Sequence, residues 1–143
     1  MNDSALKLKN QLCFPLYACS REVIKKYKPL LDKIGLTYTQ YITMMVLWEK
    51  KSINVKSLGE DLYLDSGTLT PLLKKMETQG LVTRKRAAED ERNVIINITD
   101  KGEKLKDKAL QIPLQLIDCI SLTPEEAQLL YKLLYKVLGQ ITD

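Results

Sequence analysis

Apolar residues recur at intervals of three and four along most of this chain and alternate in one short stretch. That pattern predicts helices with one small ribbon. Residues from about Ala5 to Tyr27 read as a first helix. Leu8, Leu12, Leu16, Cys19 and Val23 form its apolar stripe, with Cys13, Tyr17, Ile24 and Tyr27 beside it. Pro15 interrupts this pattern, because inside a helix it lacks an amide donor and clashes with the carbonyl four residues back. Either the helix kinks there or a new helix begins near Pro15 with Cys13 just ahead of it. Lys28-Pro29 is expected to end or bend the segment, with Leu30, Leu31 and Ile34 in a connecting turn closed by Gly35. The next helix has a clear start: Thr37 and Gln40 form a capping box, and Leu36 with Tyr41 suits a hydrophobic staple. It runs to about Lys50 and is apolar over much of its circumference, as a central core helix would be. Tyr38 falls in its first turn, outside the core stripe.

The stretch from Asn54 to Thr99 reads as short helix, turn, longer helix and ribbon. Asn54 caps a helix over residues 55–62, and Tyr63-Leu64-Asp65 turns the chain. A second helix opens at Asp65-Ser66 and runs to Glu77, with Gly80 past its end. Leu69, Leu72, Leu73 and Met76 make its buried stripe. Ser66, Thr68, Thr70, Pro71, Lys74 and Lys75 are left outside. Short hydroxyls near a helix start suit base edges and phosphates, and lysines one turn later suit phosphates. Val82 to Arg86 is strand-like and basic, through Arg84, Lys85 and Arg86. Val94 to Ile98 is the strongest strand signal. The segment between, Ala87 to Asn93, is too long for a two-residue hairpin loop. A ribbon with a long tip after a helix pair describes a winged helix. Arg92 is then placed to reach a minor groove, with Asp90 placed to hold it in one rotamer.

Thr99 caps a further helix from Asp100 to about Cys119, which Pro113 should bend, with Leu105, Ala109, Ile112 and Leu116 as its stripe. Thr123-Pro124-Glu125-Glu126 opens the last helix by a cap, a proline and a reciprocal glutamate. There Leu129, Leu133, Val137 and Ile141 recur every four residues. That stripe serves either the core or a dimer interface built with the N-terminal helix. Double-stranded DNA with a pseudo-palindromic operator favours the dimer, because a twofold protein reads two half-sites. The expected fold is mainly α with a small β-wing: a winged helix-turn-helix plus N- and C-terminal dimerisation helices. It forms one domain over 1–143, with dimerisation helices at 5–36 and 100–143 and the DNA-binding region at 37–99.

Composition adds limits. The 143 residues suffice for one core, and the formal charge of +4 is too small to call for nucleic acid by itself. Its distribution says more, since Lys74, Lys75, Arg84, Lys85, Arg86 and Arg92 all lie in the presumed DNA-facing third. The start of the chain is polar, no stretch approaches a membrane span, and a cytoplasmic protein without a membrane partner is expected. There is no histidine, and the three cysteines are scattered. A disulfide scaffold and a structural metal site are therefore not expected, and no cofactor is called for. No histidine base, phosphate loop or nucleophile elbow supports an enzyme.

The run Leu62 to Lys75, followed by Asp90-Glu91-Arg92-Asn93, resembles the MarR family of winged-helix regulators. Within it, the run resembles the OhrR-type branch, which senses organic hydroperoxides and other oxidants through one cysteine. The resemblance covers nearly the whole chain. It implies that residues 66–76 enter a major groove and Arg92 a minor groove, and that the protein is a homodimer knotted through its terminal helices. Gln11-Leu12-Cys13-Phe14, then Tyr27, then Leu36-Thr37-Tyr38-Thr39 is similar to that branch's redox site. There two tyrosine hydroxyls from across the dimer interface hold the cysteine. Carried over, these are Tyr27 and Tyr38, with Tyr17 one turn from Cys13 also near. Pro15 departs from the family, which carries a small residue there.

Chemistry explains the arrangement, since the thiolate is the reactive form and hydroxyl donors stabilise it. The resemblance implies that peroxide converts Cys13 to a sulfenic acid. A low-molecular-weight thiol, a backbone nitrogen or a second cysteine then captures it, and the dimer leaves its operator. Cys119 stays open as that second cysteine. Cys19 is a poor candidate, six residues along the helix from Cys13 and on another face; it reads as an inert apolar residue. The rival expectation is a MarR-type repressor governed by a small aromatic or anionic ligand, with Cys13 incidental.

Overall fold

The structure, a computed structural model, describes residues 3–141, and it divides into two compact units, Met1–Ile112 and Pro113–Asp143. In the first unit, two 3-10 turns (Asp3–Leu6 and Leu8–Asn10) precede α1 (Cys13–Asp32), α2 (Tyr38–Lys50), β1 (Ser52–Asn54), α3 (Val55–Leu62) and α4 (Ser66–Thr78). Strands β2 (Val82–Ala87) and β3 (Asp90–Ile98) and helix α5 (Asp100–Ala109) complete it. Helix α6 (Ile112–Ile117) begins at the division between the units, and α7 (Pro124–Ile141) forms most of the second.

Helix α2 is the core, as its pattern predicts. The Thr37 hydroxyl accepts from the Gln40 amide at 3.3 Å, and the Gln40 side-chain oxygen accepts from the Thr37 amide at 3.1 Å. Leu36 and Tyr41, the expected staple pair, are both buried beside Met44 and Leu47. Trp48 is buried at the far end and donates its indole N–H to the Gly102 carbonyl at 2.9 Å, tying α2 to the start of α5. The chains approach closely there: a Cβ on Gly102 would lie 2.5 Å from the Leu81 carbonyl oxygen and 2.8 Å from Ile98 Cγ1. Only glycine fits that crossing.

The helix pair stands where the sequence places it. Asn54 caps α3 by accepting from the Ser57 amide at 2.7 Å, and Asp65 caps α4 by accepting from the Thr68 amide at 2.7 Å. Helix α4 closes at Gly80, whose φ of +78° suits glycine. The Leu81 amide reaches the Met76 carbonyl and the Gly80 amide the Glu77 carbonyl, so two otherwise unpaired carbonyls are satisfied.

Five expectations need correction. The first long helix starts at Cys13, not Ala5, so Pro15 lies in a first turn where a missing amide costs little. Pro29 neither ends nor breaks it. The chain stays helical to Asp32, because Leu31 is buried and Leu30 and Ile34 pack on the core beyond the proline. The carbonyl that Pro29 leaves without a donor belongs to Lys25, on an exposed part of the helix that water can reach. Residues 52–54, read as a lead-in, form a third strand: the antiparallel order is β1-β3-β2, with Ile53 opposite Ile96.

The wing, fourth, has a two-residue tip. Ala87 pairs with Asp90, leaving only Ala88 and Glu89 in the turn. Arg86 pairs with Val94, so residues 91–93 are the surplus of a bulge. The expected helix to Cys119 is likewise two helices, parted just before Pro113 at Leu110-Gln111.

In the second unit Thr123 and Glu126 make the expected reciprocal cap, at 3.0 and 3.1 Å. Leu129, Leu133 and Val137 are exposed in the single chain; the Ile141 side chain lies outside those described.

Candidate nucleic-acid interface and thiol site

On α4 the buried and open faces separate as the sequence implies. Leu69, Leu73 and Met76 are fully buried, whereas Ser66, Thr68, Thr70, Pro71, Lys74 and Lys75 are exposed. The Thr70 hydroxyl donates to the Ser66 carbonyl at 2.8 Å, which leaves its oxygen lone pairs outward as acceptors. Thr68 lends its amide to the Asp65 cap. Bonds from the Thr68 hydroxyl and then its amide hold the Asp65 carboxyl below its ordinary value, so the helix start is capped by an anion at neutral pH.

The basic ribbon divides into roles that the sequence does not separate. Arg84 is half-buried. Its Nε lies 3.3 Å from Glu77 Oε1 on α4, and its amide donates to the other oxygen of that carboxylate at 3.2 Å. Its charge is therefore neutralised within the fold, and it fixes the ribbon to the helix. Arg86 shares that face and is exposed; Lys85 points to the opposite one. Asp90 accepts from the Arg92 amide at 2.9 Å. It therefore shapes the backbone of the bulge, not the guanidinium rotamer that the sequence suggests. Arg92 is exposed beyond the two-residue tip.

All three cysteines are free and exposed in the single chain, Cys19 included. Cys119, in the second unit, points its sulfur at the Gln115 carbonyl, 3.8 Å away on its own segment. Cys13 is the first residue of α1. Tyr17, one turn on, is taken up by its own helix: Arg21 lies 5.5 Å over its ring and donates to its hydroxyl at 3.4 Å.

Tyr27 and Tyr38 do come together. Their rings lie 4.9 Å apart at the meeting of α1 and α2, both half-buried. A third phenol, Tyr41, which the sequence reading assigned to the hydrophobic staple, completes the group, 5.7 Å from Tyr27 and 6.3 Å from Tyr38. Its position three residues after Tyr38, on one helix face, is the signal that places it there. Burial, with the neighbouring Tyr38 and Tyr41, pushes the Tyr27 hydroxyl up to about 12. The Tyr38 and Tyr41 hydroxyls are raised too, chiefly by burial. All three thus stay protonated, hence donors, at any physiological pH. Cys13 of the same chain is not among them. Fourteen helical residues separate it from Tyr27, about 21 Å of rise. A Cys13 sulfur that meets these hydroxyls must come from another copy.

A family model for the transcriptional regulators SarA/Rot matches residues 25–109, from the middle of α1 to the end of α5. The organic hydroperoxide resistance transcriptional regulator of Bacillus subtilis is 54% identical over 133 residues, covering 93% of this chain and 90% of that one. The chain belongs to this family of transcriptional regulators, on its OhrR-type branch. Solved structures agree on the fold. This OhrR-type chain matches the overoxidised regulator AbfR bound to DNA with a TM-score of 0.81 at 34% identity, over 99% of this chain and 100% of that one. The disulfide form of AbfR matches with a TM-score of 0.65 at 34% identity, over 97% and 94%. These OhrR-type relatives are regulators of transcription, not enzymes. Among the described residues no helix is long and apolar enough to cross a membrane.

Proposed function

We propose that this OhrR-type regulator is a cytoplasmic homodimeric repressor that binds a pseudo-palindromic operator and senses organic hydroperoxides through Cys13. The observation that carries the reading is the Tyr27–Tyr38 pair: two protonated phenols, ring to ring, with Tyr27 too far along α1 to serve its own Cys13. In a dimer they meet the partner's Cys13. The exposed apolar faces of α1 (Phe14, Leu16, Ile24) and of α7 (Leu129, Leu133, Val137) are the surfaces such a dimer would cover. The residues from Ser66 to Lys75 then read the major groove, and Arg92 the minor groove.

The chemistry follows from the donors. Phenol hydroxyls stabilise the Cys13 thiolate. Its sulfur attacks the outer oxygen of the hydroperoxide, the O–O bond breaks, and the alkoxide leaves and takes a proton to become an alcohol. Sulfur, oxidised by two electrons, is now a sulfenic acid. A low-molecular-weight thiol then displaces its oxygen as water and leaves a mixed disulfide; Cys119 of a partner is the alternative second thiol. Since overoxidised AbfR is found on DNA, added oxygen is compatible with binding in that relative. The bulk that a mixed disulfide adds beside the phenol pair is the change that shifts the dimer away from DNA.

The test is a mobility-shift assay on a duplex selected by the reduced protein from a random pool. Cumene hydroperoxide with a small thiol should release wild type and leave Cys13→Ser bound. Equal release of both would overturn the reading.

A further inference from the structure

Gln40 and Thr43 are the two buried polar residues among those described. Thr43 satisfies itself within α2, through the Thr39 carbonyl at 2.7 Å. Gln40 does not, because its amide faces two elements. Its oxygen accepts from the Thr37 amide at 3.1 Å, next to Tyr38. Its nitrogen donates to Gln79 Oε1 at 3.2 Å. Gln79 is the residue on which α4 ends, its amide bonded to the Lys75 carbonyl at 3.0 Å. Its own side-chain nitrogen donates to the Gly35 carbonyl at 3.3 Å, in the turn that leads from α1 to α2.

Two side-chain amides in series therefore join the corner that carries Tyr38 to the end of the DNA-reading helix. Thirty-nine residues separate them in sequence. Each amide uses oxygen and nitrogen in opposite directions, so neither can turn over without losing both of its bonds. Gln40 is 1% exposed, so water does not replace a lost partner. Other bonds hold the same helix end from the far side: Thr99 Oγ1 donates to the Gly80 carbonyl at 2.6 Å, and Lys101 Nζ to the Gln79 carbonyl at 2.7 Å. The end of α4 is thus clamped between the phenol corner and the start of α5.

We infer that Gln40 and Gln79 are positioning residues that transmit the state of the Tyr27–Tyr38 corner to the end of α4. The inference rests on the proposed thiol-sensing function. It adds the physical connection through which a change at Tyr38 reaches the reading helix. Movement of the Thr37–Tyr38 turn pulls on Gln40, and Gln40 has no other partner through which to relax.

Hydrogen exchange tests this without DNA. Exchange over residues 76–81 is compared before and after treatment with cumene hydroperoxide and a small thiol, in wild type and Gln79→Met. Peptide mapping by mass spectrometry places the adduct on Cys13, and thermal melting confirms the fold. Gln79→Met keeps length and shape and removes both side-chain bonds. Treatment should change exchange at 76–81 by about threefold or more in wild type and by less than half of that in the variant. Equal changes in the two proteins, or none in either, would overturn the inference while Cys13 modification leaves the sensing function standing. Absence of any adduct on Cys13 would remove the sensing function and this inference together. Should Gln79→Met fail to fold, Gln40→Met removes the donor to Gln79 together with the side-chain bond to the Thr37 amide, with the same outcomes expected.

Discussion

The separation of the basic ribbon into a structural arginine and one proposed to face DNA makes a quantitative prediction about salt. Lys74, Lys75 and Arg92 are exposed, and none of them has an acidic partner among the described residues. In a dimer they supply six cations. At about −0.9 per phosphate neutralised, the slope of log affinity against log salt is near −5, a loss of roughly a thousandfold between about 50 and 200 mM. Arg92→Ala removes two of the six and should flatten the slope by about two units. Arg84→Ala should behave differently. Its guanidinium is already neutralised by Glu77 at 3.3 Å, so few counterions are released on its account and the slope should change by well under one unit. Fluorescence anisotropy on a selected duplex over a salt series reads the slope directly. If Arg84→Ala flattens the line as much as Arg92→Ala, the carboxylate gives way to phosphate on binding and the division of roles is wrong.

Alkaline pH tests the phenol group. The Tyr27 hydroxyl is raised from 10.0 to about 12 by burial and by its neighbours. The folded chain thus holds this proton more tightly than the unfolded one, and the associated stability is present below pH 10 and lost as pH rises towards 12. Denaturant melts of Tyr27→Phe should show a shallower decline through that window than wild type; identical curves would count against the burial. At the Gly102 crossing, Gly102→Ala forces a Cβ against the Leu81 carbonyl and should cost about 1–3 kcal/mol, read as a lowered urea midpoint. Thr37→Ala removes half of the capping box and should cost about 1 kcal/mol by the same measurement, with no loss if the cap is idle.

Where a feature was local, the sequence was a sufficient guide. The Thr37 and Gln40 spacing defines the start of α2, and the open face of α4 is written in Ser66, Thr68, Thr70, Pro71, Lys74 and Lys75. What failed was decided by partners distant along the chain. Pro29 is a helix breaker by local rule, yet Leu31 reaches the core two residues later and holds the helix together. Strand β1 has three residues and no pattern of its own; its existence depends on β3, more than forty positions on. The wing's polar tip is paired through backbone bonds, which leave no mark in hydrophobic periodicity.

The site divides in the same way. Phenols and thiol are visible as residue types, whereas the commitment of Arg84 to Glu77 joins a strand to a helix, and the Gln40–Gln79 bridge joins two helices. Neither bond has a signature in spacing. The 21 Å between Cys13 and Tyr27 is the exception, since helix rise alone yields it once α1 is known to run unbroken.

The chain has a single tryptophan, and it sits at the joint. Trp48 lies edge-on to Tyr41 at 6.5 Å, while its indole is anchored on the first turn of α5. Its emission colour is set by the polarity around one fixed ring. Any shift of the aromatic corner against that turn is therefore visible by intrinsic fluorescence, without a dye, in the same cuvette where peroxide is added.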